Sequence, residues 1–120
     1  MSVVYPITES KTEKLYYYLR RAAMQWQVIP YEDVAWIVDL AAHHPPFTSR
    51  LGSISQHTWE TDRVVLTSLV VRKHDGIPSP AFFEFLKKNL KMEVPDDAGA
   101  RVTLWAKLVR AVHKKYCQVT

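Results

Sequence analysis

Residues 28–59 read VIPYEDVAWIVDLAAHHPPFTSRLGSISQHTW, and this stretch decides the fold. Ile29 precedes Pro30, and a residue before proline avoids helical geometry, so a helix cannot cross this point. From Tyr31 onward the pattern turns helical. Glu32 and Asp33 fall in a first turn, where the helix dipole favours negative charge, and Val34, Ile37, Val38 and Ala41 follow at helical spacing. The spacing predicts a helix over 31–42, stopped by His43-His44-Pro45-Pro46. A further helix is expected over 47–59, with Phe47, Leu51, Ile54 and Thr58 on one face and Arg50, Ser53, Gln56 and His57 on the other. Gly52 weakens it, unless a glycine is needed where two helices cross closely.

Working outward, a helix is expected over 11–25. Ser10 and Glu13 form a capping box, and Leu15, Leu19, Ala22, Ala23 and Trp26 form its stripe with Tyr18 beside them. Residues 1–9 read as an extended arm. Downstream, residues 64–72 are rich in β-branched side chains and read as a strand. Lys73-His74-Asp75-Gly76 reads as a turn. Ser79 and Pro80 then open a helix built on Phe82, Phe83, Phe85, Leu86 and Leu90. After a polar loop over 93–99, a last helix is expected over 100–117, with Val102, Trp105, Val109, Val112 and Tyr116 inward.

Helix, extended piece, helix, turn, helix, strand, turn is the order of a winged helix-turn-helix. The expected architecture is therefore α+β: a mostly helical winged helix-turn-helix core over 10–78, a short strand and wing, and two added C-terminal helices over 79–120. At 120 residues the chain is one domain. Its 48% apolar and 23% charged content excludes a disordered chain, and three glycines exclude a glycine-rich phosphate loop. One cysteine, Cys117, excludes an intrachain disulfide and points to a reducing, cytoplasmic setting. No signal peptide and no membrane span are read, because no apolar run approaches the length needed.

Sixteen Lys and Arg against twelve Asp and Glu give a net charge of +4, which fits either nucleic acid or an acidic protein. The segment 101–116 holds five basic residues and no acid, with Lys107, Arg110 and Lys114 on one face. Arg50, Ser53 and Gln56 carry the chemistry for base edges, since arginine suits guanine and glutamine suits adenine. No metal or cofactor is expected: His43 and His44 are adjacent rather than four apart, and His57, His74 and His113 lack ligand partners at zinc spacing.

Pro30-Tyr31-Glu32-Asp33-Val34-Ala35 resembles the opening of the DNA-binding region of alkylguanine-DNA alkyltransferases and their inactive alkyltransferase-like relatives. Leu51-Gly52-Ser53-Ile54 resembles that family's recognition-helix stretch, and residues 70–76 resemble its strand and turn. The likeness covers residues 28–76. It implies a winged-helix DNA binder in which Tyr31 contacts a phosphate. Two departures limit what it implies. Aligning the valine pair puts the family's catalytic cysteine at or near Thr67, so alkyl transfer is not implied. The family's base-displacing arginine falls near Gln56. The run from Arg63 through residues 66–71 to Phe82-Phe83 is also similar to a group of small bacterial or phage proteins, from which no function follows.

The leading expectation is a non-catalytic double-stranded DNA-binding protein. Arg50, Ser53 and Gln56 would face the groove, and Tyr31, Arg72, Lys73, Lys107, Arg110 and Lys114 would meet phosphates. The alternative is a protein-interaction module, such as an immunity, antitoxin or adaptor protein, that binds an acidic protein. Clustered exposure of Tyr17, Trp36 and Trp59 would favour it. An enzyme using His74 and Asp75 is the third reading.

Overall fold

The computed structural model describes residues 10–37 and 45–117. Helix α1 spans Ser10–Met24, strand β1 Ile29–Pro30, α2 Tyr31–Ile37 and α3 Pro45–Asp62. A single-turn 3-10 helix, Leu66–Leu69, leads into strand β2, Val70–Val71, followed by α4, Pro80–Lys88, and α5, Ala98–Tyr116. The two strands pair in parallel, Ile29 with Val70 and Pro30 with Val71. The architecture is α+β in content, mostly helical with one small two-stranded sheet. The expected arm over 1–9, the end of the second helix over 38–42 and the first half of the turn at 43–46 lie outside the described residues; Pro45 and Pro46, expected in that turn, instead open α3, which runs on to Asp62.

The run over 64–72 departs from expectation. Only Val70 and Val71 are strand, and the four residues before them form the 3-10 helix. The cause lies in burial. Residues 64–71 are all nearly inaccessible, and a short apolar run buried on every side carries no periodicity that separates strand from helix. Ahead of the strand, side chains and a local turn take the place of a ladder. Ser68 N–H donates to Val65 O at 3.0 Å, Leu66 N–H to Thr58 Oγ1 at 3.3 Å, and Trp105 Nε1 to Ser68 O at 2.8 Å.

This buried segment sits between two apolar clusters. One gathers Leu15, Leu19, Val34, Ile54, Leu66, Leu69, Val70 and Val112. The other gathers Val65, Phe82, Phe83, Leu86 and Leu90. Helix α5 joins them, giving Leu104, Trp105 and Leu108 to the second and Val109, Val112 and Tyr116 to the first. Val102, expected inward, is 37% exposed, and the helix begins at Ala98, two residues before the expected start. Asp97 sets that start: its carboxylate accepts from Ala100 N–H at 2.9 Å as the N-cap. Ser79 stands at the N-cap of α4, with Pro80 next, but its hydroxyl does not bond the helix.

Trp26, expected on the α1 stripe, is 58% exposed. The helix stops at Met24 in a Schellman motif, with Gln27 N–H on Ala22 O at 3.0 Å and Trp26 N–H on Ala23 O at 3.2 Å. Trp26 therefore takes the left-handed position, φ 58°, that glycine usually fills. Arg63 and Lys91, after α3 and α4, have φ 57° and 58°. Left-handed backbone costs a residue with a Cβ about 1 kcal/mol at each place.

Candidate functional site

The start of α2, the middle of α3, the 3-10 helix and the start of α4 enclose a cavity of about 210 Å³. Leu51, Ala81, Phe82 and Phe85 give it apolar walls. Gly52 opens one side: a Cβ there would stand 3.4 Å from Phe85 Cε2. Four hydroxyls complete the lining. Ser55 and Thr67 hydrogen-bond to each other in the interior. At the rim, Tyr31 OH accepts from Ser79 N–H at 3.4 Å and lies 3.4 Å from Ser79 Oγ.

The surrounding elements hold this arrangement from both sides. Thr58 donates to Ser55 O at 3.3 Å while accepting from Leu66 N–H, so α3 and the 3-10 helix share one polar seam. Among the described residues the lining contains no carboxylate, imidazole, amine or thiol. The site therefore offers apolar contact and hydroxyl hydrogen bonding, with no general base beside Thr67 to activate it.

Tyr31, Leu51, Gly52 and Thr67 are positions that the alkyltransferase resemblance singles out, and all four line this cavity. The other nominated residues are spread over the surface. Arg50, half-buried, donates to Thr12 Oγ1 at 3.3 Å, which ties it to α1. Ser53 is half-buried, and Gln56 donates to Glu60 Oε1 at 3.1 Å. Arg72 pairs with Asp75 through two nitrogens. Lys73, Lys107, Arg110 and Lys114 are exposed, with no acidic partner within 4.0 Å among the described residues.

Asp75 works within its turn. Desolvation raises its pKa, but the Ile77 N–H and the Arg72 hydrogen bond and charge, with His74 adding, outweigh this and hold the carboxyl below its ordinary value. His74 Nε2 is 3.4 Å from Asp75 Oδ2, and its side chain is 74% exposed. Neither residue lines the cavity. Among the aromatics nominated for a protein surface, Trp36 and Tyr17 are 79% and 56% exposed. Trp59 instead packs half-buried on the second cluster, under the Arg63 guanidinium.

One cluster was not visible in the sequence. Tyr116 OH donates to Asp62 Oδ2 at 2.6 Å, joining α5 to the end of α3. Arg20 lies over the Tyr116 ring at 5.2 Å and over Tyr16 at 5.6 Å. Burial, then the hydrogen bond and charge of Asp62, push the Tyr116 phenol far above its ordinary value. Burial also raises Tyr16, against the opposing charge of Arg20. Tyr116 lies 54 positions from Asp62 and further still from Arg20, and no local spacing announces their meeting.

No group of three or more His, Cys, Asp and Glu side chains among the described residues is arranged to hold a metal ion. None of the described helices is long and apolar enough to cross a membrane. Comparison of the chain with protein-family models, curated proteins and solved structures gives no match.

Proposed function

We propose that this chain is a non-catalytic double-stranded DNA-binding protein of winged-helix type, in a reducing, cytoplasmic setting. In this reading α2 and α3 are its helix-turn-helix, and the turn after β2 is its wing. The observation that carries it is a convergence. Tyr31 and Leu51-Gly52, which resemble the alkyltransferase-like pattern, and Thr67, at or near which that family's cysteine would align, come from three separate segments and line one cavity. Thr67, at or near the place of the family's cysteine, offers a hydroxyl in place of a thiol, which supports binding without alkyl transfer.

Exposure redistributes the phosphate contacts. Tyr31 and Arg72 already hold Ser79 and Asp75, so the weight falls on Lys73 and on the α5 face bearing Lys107, Arg110 and Lys114. Arg50, Ser53 and Gln56 remain the candidates for base edges, and Arg50 would exchange Thr12 for a base on binding.

Fluorescence anisotropy of a labelled random-sequence duplex, titrated at several salt concentrations, tests the proposal. Tight binding that weakens steeply with salt is expected. Replacing Lys107, Arg110 and Lys114 together by alanine should reduce the log–log salt slope by about 2.7, from roughly 0.9 per phosphate contact. Absence of binding at low salt overturns the reading. An Arg50→Ala, Gln56→Ala variant with unchanged affinity and sequence preference removes α3 as the reading helix.

A further inference from the structure

Three apolar side chains stand in water where α1 ends. Met24, Trp26 and Val28 are 57%, 58% and 42% exposed. Helix α5 brings its last turn beside them. The Trp26 ring leans on His113 with centroids 4.8 Å apart, and Trp26 Nε1 donates to Cys117 Sγ at 2.8 Å. Cys117 Sγ lies 3.3 Å from Met24 O, to which it donates. The indole is thereby held in one orientation with most of its surface facing outward.

Neither core packing nor backbone preference accounts for a tryptophan here. The position is the left-handed residue of a Schellman motif, where glycine is least strained. Arg63 and Lys91, in the same conformation, are charged and straight-chained. Trp26 alone puts a large apolar group at such a place.

Cations flank this group along both helices. Arg21 precedes Met24 by one turn of α1, and Arg110 and Lys114 precede His113 and Cys117 by one turn of α5. All three cations are exposed, and none has an acidic partner within 4.0 Å among the described residues. Trp, Met and Arg are the side chains most enriched in protein interfaces, and a fixed tryptophan loses little freedom on binding. An apolar anchor bordered by cations is complementary to apolar side chains interspersed with carboxylates.

We propose that this surface docks an acidic amphipathic helix of a partner protein. The partner's apolar side chains would cover Met24, Trp26 and Val28, and its carboxylates would meet Arg21, Arg110 and Lys114. The inference goes beyond the DNA reading: Arg110 and Lys114 serve in both, but Arg21, Met24, Trp26 and Val28 have no part in DNA contact.

The test uses the full chain and fluorescein-labelled helical peptides with Leu and Phe at helical spacing among Glu, against the same peptides with Lys for Glu. The Glu peptides should bind and the Lys peptides should not. Trp26→Gly should weaken binding at least tenfold. Met24→Ser, at an exposed position, should weaken it several-fold with unchanged circular dichroism, which covers any loss of folding in Trp26→Gly. Arg21→Glu should lower affinity for the Glu peptides and raise it for the Lys peptides. Equal binding of both peptide sets, no binding of the Glu set, or full binding by Trp26→Gly and Met24→Ser overturns the proposal. So does Trp26-dependent binding confined to phosphatidylserine vesicles or to labelled oligothymidylate, which would assign the surface to lipid or single-stranded nucleic acid.

Discussion

Replacing Gly52 by alanine should stabilise the protein. Gly52 sits within α3, where alanine is favoured over glycine by about 1 kcal/mol. The opposing term is contact with α4. The new methyl carbon would lie 3.4 Å from Phe85 Cε2 and 4.0 Å from Phe85 Cδ2. The first distance is just inside the usual 3.5–4.0 Å optimum, so Phe85 needs to yield only slightly, at a cost of about 0.3 kcal/mol. The net gain is about 0.5–1 kcal/mol. For a domain of this size that raises Tm by roughly 2–5 °C. Calorimetry and urea unfolding of the two proteins measure it directly, with an unchanged m-value as the sign of an unchanged unfolding transition. Gly52→Leu provides the contrast, since a larger side chain must enter the cavity or displace Phe85, and overpacking costs about 1–3 kcal/mol. A Gly52→Ala protein that melts several degrees lower would refute the reasoning. It would mean that Phe85 cannot yield and that glycine is required at this crossing.

Tyr116→Phe should cost about 1 kcal/mol by removing the hydrogen bond to Asp62 while keeping the ring under Arg20; equal urea midpoints for the two proteins would count against that bond. The raised Tyr116 and Tyr16 phenols also set a pH dependence. The unfolded chain ionises both near 10, while the folded state holds both protons to higher pH, so their contribution to stability is full below pH 10 and falls as pH rises above it. Tyr116→Phe should flatten that decline between pH 10 and 12, which unfolding free energies measured across the window will report. Lys91→Gly should raise stability by about 0.5 kcal/mol, because an exposed lysine with φ 58° is exchanged for the residue that adopts this conformation without strain; a lower urea midpoint would contradict this.

Much of the helical framework was legible in the sequence because its signals are local. Ile29-Pro30 marks the start of α2 to the residue, and Leu15, Leu19, Leu51 and Ile54 announce by spacing the faces that α1 and α3 bury. The 64–72 run reads as strand, yet only Val70 and Val71 are, because total burial removes the periodicity that would separate strand from helix. Trp26 was misplaced because helical spacing continues past Met24 while the helix does not. The cavity was legible only in pieces. Tyr31, Gly52 and Thr67 each stood out within a local pattern, but their meeting depends on how α4 packs. The Tyr116–Asp62 bond and the Trp26–Cys117 contact join residues too distant in sequence for any pattern to reveal.

The parallel pairing of Ile29-Pro30 with Val70-Val71 also bears on how the chain avoids self-association. Free of its neighbours, the segment Val64–Val71 has the composition of an aggregation-prone stretch: β-branched, uncharged and without proline. In the folded protein only its last two residues are strand, and the partner strand is equally short. Pro30 has no N–H to offer a third strand, so the β1 edge cannot template sheet growth across that residue. The hazard is thereby confined to the interval before α3 and α5 close over the 3-10 helix. Variants that slow this closure should show their defect as turbidity during refolding at high concentration, even where the final fold is as stable as before.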